Sequence, residues 1–109
     1  MSRAGADDKE LDDLIEAITV DAYGDDEQLW AFRQVLEDEV ALPADAFVVG
    51  EPVSVIEIDY DGNVRRGLTA RCRREDGAEH VVAASDVVFP ERSSGARYGA
   101  AYRKWLGWL

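Results

Sequence analysis

The chain has 109 residues, 47% of them hydrophobic, and a formal charge of −11. That length suits one domain around one core, and that composition excludes wholesale disorder. No apolar run approaches the roughly 18 residues needed to span a membrane, a single cysteine excludes an internal disulfide or a C-x-x-C zinc set, and the acidity opposes nucleic acid. The charge is lopsided: residues 1–61 hold 18 acids against 3 bases, residues 62–109 hold 5 acids against 9 bases. The first residues, Met-Ser-Arg-Ala-Gly-Ala-Asp-Asp-Lys-Glu, lack the apolar core of a signal peptide, so a cytoplasmic address is expected.

Residues 1–7 read as a disordered tail, and residues 8–109 as a single α+β domain. From Asp8 to Tyr23 the spacing of Leu11, Leu14, Ile15, Ile18 and Ala22 predicts an amphipathic helix ended by Gly24. A second helix follows at once, with Leu29, Phe32, Leu36 and Val40 on one face and Pro43 beyond its end. Asp25 reads as its N-cap, with Gln28 completing a capping box. The two form a short helical hairpin.

From Phe47 the period drops to two. Val53 to Tyr60 carries apolar residues on both faces (Val53 and Val55, then Ile56 and Ile58), the mark of a bulged strand. Tyr60-Asp61-Gly62-Asn63 predicts a hairpin turn. Leu68, Ala70 and Cys72 alternate with Thr69, Arg71 and Arg73, and Arg74-Glu75-Asp76-Gly77 is a second turn. Glu79–Ala84 and Val87–Phe89 add two strands. Short strands joined by Asp-Gly turns predict a small SH3-like antiparallel β-barrel. After a polar linker, Tyr98, Ala101, Tyr102, Trp105 and Leu109 define a short C-terminal helix, whose Arg97, Arg103 and Lys104 make it basic.

Catalytic chemistry finds little support. The one histidine, His80, cannot form a metal cluster, and Cys72 alternates as an inward-facing filler, not as an activated thiolate. No P-loop or Rossmann glycine pattern occurs. Asp59 to Ala70 fails as an EF-hand, because its glycine falls at the fourth place and Ala70 stands where a glutamate belongs. Arg65, Arg66, Arg71, Arg73 and Arg74 form a basic patch that reads as an internal counterpart of the acidic helices.

The acidic side chains carry the sharper reading. Asp25, Asp26 and Glu27 oppose the positive end of a helix dipole, which is an ordinary role. Glu37, Asp38 and Glu39 stand at the negative end, where free carbonyls already crowd. A hard cation would relieve that repulsion. Metal candidates are therefore Asp21, Asp25 and Asp26 at the hairpin corner, and Glu37, Asp38, Glu39 and Asp45 at the other end. Glu57, Asp59 and Asp61, on one strand face, could add oxygens.

The order Asp26-Glu-Gln-Leu-Trp-Ala-Phe32, Ile58-Asp-Tyr-Asp-Gly-Asn63, Arg66-Gly-Leu-Thr-Ala70, Glu75-Asp-Gly77 and Val87-Val-Phe-Pro90 resembles the CcbP-type family of small acidic calcium-binding proteins. The resemblance runs from about residue 10 to the C-terminus. It implies a non-enzymatic cytoplasmic protein that binds Ca2+ through clustered carboxylates, without EF-hands, and buffers or senses the free ion. The alternative is a protein-interaction module whose barrel and acidic helical face bind a basic protein partner.

Overall fold

The computed structural model describes residues 3–108, with side-chain surroundings from 8 to 107. Leu109, expected on the last helix face, lies outside the described residues. Helix α1 spans Arg3–Thr19, α2 Asp25–Glu39 and α3 Gly95–Trp108. The strands are β1 Ala44–Val48, β2 Glu51–Asp59, β3 Thr69–Arg74, β4 Glu79–Ala83 and β5 Val87–Val88, with a 3-10 turn at Ala84–Asp86. This is the expected α+β architecture.

All strand pairs are antiparallel, in the order β4-β3-β2-β1-β5. β1 to β4 form a meander, and the 3-10 turn carries the chain from one edge of the curled sheet to the other. No ladder joins β4 to β5 among the described residues. The register of β2 against β3 shifts between Val55 and Glu57. That bulge reconciles the two apolar faces read from the sequence: Val53 and Val55 point inward before it, Ile58 and Tyr60 after it. Leu68 just before β3, and Ala70 and Cys72 within it, are buried as their alternation predicts.

The stripe on α2 is the centre of the core. Leu29 and Phe32 are wholly buried, and Leu36 and Val40 nearly so; each such burial contributes about 1.5–3 kcal/mol. Among the described side chains of α1, Ile15 alone is buried, with Leu11, Leu14 and Ile18 at its margin. From α3, Tyr102 and Trp105 pack on Phe32 with ring centroids 5.6 and 5.2 Å away. The Trp105 indole donates to Gln28 Oε1 at 2.7 Å, and Gln28 Nε2 donates to the Ala22 carbonyl. One side chain thus ties the α1–α2 corner to α3.

Several local expectations are corrected. α1 is described from Arg3 onward. Residues 1 and 2 lie outside the described residues. α1 stops at Thr19, not near Tyr23: the β-branched run Ile18-Thr19-Val20 is unfavourable for helix, and Thr19 Oγ1 donates back to the Ile15 carbonyl at 2.8 Å. Gly24, with φ of 96°, is therefore the N-cap of α2 and not the end of α1. Asp25 is the first helical residue and makes no capping bond. Glu27 Oε1 accepts the N–H of Tyr23, the residue before Gly24, at 2.9 Å and so ties the connection to the first turn.

The β2–β3 connection is also longer than a tight hairpin. Asp61 accepts the Asn63 N–H, and Arg66 and Gly67 close a helical turn onto the Asn63 carbonyl. The Leu68 N–H then goes to the Tyr102 hydroxyl at 2.8 Å. A Cβ on Gly67, whose φ is 69°, would stand 2.7 Å from that hydroxyl, so only glycine fits. The Arg74–Gly77 turn is tight as expected, with Gly77 donating to the Arg74 carbonyl.

Candidate functional site

The acids of the helical layer are the candidate site, and their surroundings differ from one to the next. Asp21 is exposed in the α1–α2 connection, and Asp25 is exposed in the first turn of α2. Asp26 is anchored: Tyr60 donates its hydroxyl to Asp26 Oδ1 at 2.6 Å. Tyr60 is 3% exposed. Burial, the bond to Asp26 and the negative charges of Asp26 and Asp61 push its phenol up to about 12. Both carboxylates therefore act on one phenol although they lie on α2 and on the β2–β3 loop. Trp30, 46% exposed, meets the Tyr60 ring edge-on at 5.1 Å.

At the other end of α2, Glu37, Asp38 and Glu39 diverge. Consecutive helical residues point about 100° apart, so three in a row do not face one point. Glu37 turns to Arg33, 3.3 Å away, and the Arg33 Nε lies 3.5 Å from Asp59. Asp38 accepts from the Gln34 side-chain amide at 3.1 and 3.2 Å. Glu39 faces a groove bounded by α1 and the start of α3. No basic residue stands in the last turn of α2 to offset the dipole. Asp45 is exposed on β1, opposite Ser54. Among the described residues no three of His, Cys, Asp and Glu stand together as a metal-holding group.

The basic patch does not serve the acidic helices as expected. Arg71 bridges Glu57 at 3.3 Å and Glu79 at 2.9 Å, and Arg73 reaches Glu79 at 2.8 Å. Arg74 pairs with Glu51, and Arg66 with Asp61. Hydrogen bonds from Arg73 and Arg71 hold the Glu79 carboxyl below its usual range. For β2, β3 and β4 the reason is register: Glu57 stands directly opposite Arg71, and Glu79 stands opposite Arg73 and diagonal to Arg71. α3 does meet the acidic layer, through Lys104, which lies 2.7 Å from Asp12 and 3.5 Å from Asp8. The hydrogen bond to Asp12 raises the Lys104 ammonium.

Among the described residues, Glu10, Glu16, Asp21, Asp25, Asp26, Glu27, Asp38 and Glu39 make no ion pair. These oxygens are what the site offers a cation. Tyr60 and Trp30 were not legible as parts of it. Tyr60 reads as a turn residue, and its link to Asp26 spans 34 positions. His80 is exposed on β4. Cys72, its register partner on β3, is buried, and burial raises its thiol.

Comparison of the sequence with protein-family models and with curated proteins returned no match. Solved structures do match. A calcium binding protein in the calcium-binding form has a TM-score of 0.73 over 91% of this chain and 90% of its own, at 17% identity. The crystal structure of Anabaena CcbP has a TM-score of 0.71 over 90% of this chain and 89% of its own, at 16% identity. The chain shares their fold, and the resemblance to CcbP-type proteins read from the sequence holds at that level.

Proposed function

We propose that this protein binds Ca2+ through carboxylates of its helical layer and buffers or senses the free ion in the cytoplasm, without enzymatic activity. The observation that carries this reading is the uneven neutralisation: Glu51, Glu57 and Glu79 of the sheet have arginines, while most helical carboxylates among the described residues have none. The near full-length likeness in fold to a calcium-binding form supports it.

The donor chemistry fits. Carboxylate oxygens suit a hard ion, and Ca2+ accepts irregular geometry where Mg2+ demands an octahedron and sheds water reluctantly. The corner formed by Asp21, Asp25 and Asp26 is favoured, because Tyr60 already fixes one carboxylate there. Glu37, Asp38, Glu39 and Asp45 offer further oxygens, and would have to turn toward a shared ion. A set gathered this way from the surface binds at roughly 10⁻⁴–10⁻³ M. Neither His80 nor the buried Cys72 is placed for nucleophilic work, which supports a non-enzyme. The single thiol suits a reducing compartment.

Calorimetric titration of the chelator-treated protein with Ca2+, in excess Mg2+, tests the reading. A saturable heat is expected, with a parallel change in Trp30 fluorescence that Asp26→Asn weakens. No saturable heat up to millimolar Ca2+ overturns it.

A further inference from the structure

A groove of about 1050 Å³ opens between α1, the end of α2, and the segment leading into α3. Its floor is apolar: Leu11 and Leu14 from α1, Ala96 and Tyr98 from α3. Its rim is acidic: Glu10 and Asp13, which share one face of α1 at i, i+3, with Glu39 and Glu91 across from them. Arg97 is the one cation on the lining, and it lies over the ring of its neighbour Tyr98 at 5.1 Å. Asp13 is bridged by Lys9 at 3.4 Å, with both side chains mostly exposed, and such a pair contributes little. Glu10, Glu39 and Glu91 make no ion pair among the described residues.

We propose that this groove docks a cationic amphipathic helix of a partner protein, its apolar stripe on the floor and its Lys and Arg side chains against the rim. Charge complementarity sets the sign of the partner. Size sets its kind, since two turns of a helix about 10 Å across occupy roughly 850 Å³. An apolar floor with a charged border is how helices are received in grooves. A second copy of this chain does not supply such a helix. α3 is its most basic one, yet Lys104 is held by Asp8 and Asp12, and Arg103 donates to the Val87 carbonyl at 3.0 Å. The proposal stands apart from calcium binding and is tested in chelator.

The probe is a labelled 18-residue peptide with Leu at i, i+3, i+4 and i+7 and Lys and Arg elsewhere, set against its scrambled isomer. Fluorescence anisotropy with the full chain reads binding. The amphipathic peptide binds at least about tenfold tighter than the scrambled one, and the triple variant E10Q/E39Q/E91Q weakens it about tenfold. The control E75Q/D76N/D86N, which removes three charges from the sheet turn and the 3-10 segment, keeps the affinity within about twofold. Circular dichroism verifies that both variants are folded. Equal affinity for the two peptides, equal weakening by the two variants, or no binding overturns the proposal. The first two outcomes reveal only long-range attraction to an acidic chain.

Discussion

On the outer face of the sheet, Arg71 lies between Glu57 and Glu79, Arg73 joins Glu79, and Arg74 meets Glu51. In the helical layer, Lys9, Arg33 and Lys104 hold Asp13, Glu37, Asp8 and Asp12, while the remaining acids turn to amides, a phenol or solvent. The two regions differ because a sheet brings distant positions side by side, whereas a helix fans its side chains outward. Positive charge placed on β3 is thus used within the sheet. What remains on the helices is a field of carboxylates whose mutual repulsion a divalent ion or a cationic partner lowers.

The largest expected effect comes from separating the two regions. Phe32→Ala empties the contact where α2, α3 and the sheet meet, and should cost about 3–5 kcal/mol in urea unfolding. If the cost is under about 1 kcal/mol, the layers are not joined through the aromatic cluster. Tyr102→Phe leaves the Leu68 N–H without its buried partner and should cost about 1–3 kcal/mol by the same assay.

A smaller test addresses the charges directly. In chelator at low salt, Glu39→Gln should stabilise the chain by about 0.3–1 kcal/mol, since it removes a negative charge from the negative end of α2. Glu57→Gln on the sheet should destabilise it by about 0.2–1 kcal/mol. Shifts of the same sign would break the contrast, and both should shrink in 0.5 M salt.

The last test is spectroscopic. The phenol of Tyr60 rises from an ordinary value of 10.0 to about 12. Folding holds that proton more tightly than the unfolded chain does. The associated stability is complete below pH 10 and disappears as pH rises toward 12. Absorbance at alkaline pH should show Tyr60 ionising late, and Asp26→Asn should bring it earlier. An unchanged titration in that variant would mean that burial alone sets the phenol.

Much of the fold was readable where the signal was local. The α2 stripe, the alternation of β3 and the doubled apolar faces of β2 each reflect a period within a few residues, and the structure realises all three. Ends and connections were less readable. The stop at Thr19, the role of Gly24 and the long 60–68 loop depend on which side chain reaches a free backbone group, and periodicity does not carry that information.

For the site, the sequence alone established the chemistry: an excess of carboxylates in the first half, oxygen donors without histidine or thiolate partners, and a hard cation as their natural counterpart. Tertiary structure alone decided which acids stay unpaired. It sent Arg71, Arg73 and Arg74 to the sheet, drew Asp26 and Asp61 around Tyr60, and pointed Glu39 into a groove. Composition is carried by each residue singly, whereas neutralisation is a property of pairs. Pairs form only once the chain has brought distant residues within a few ångströms.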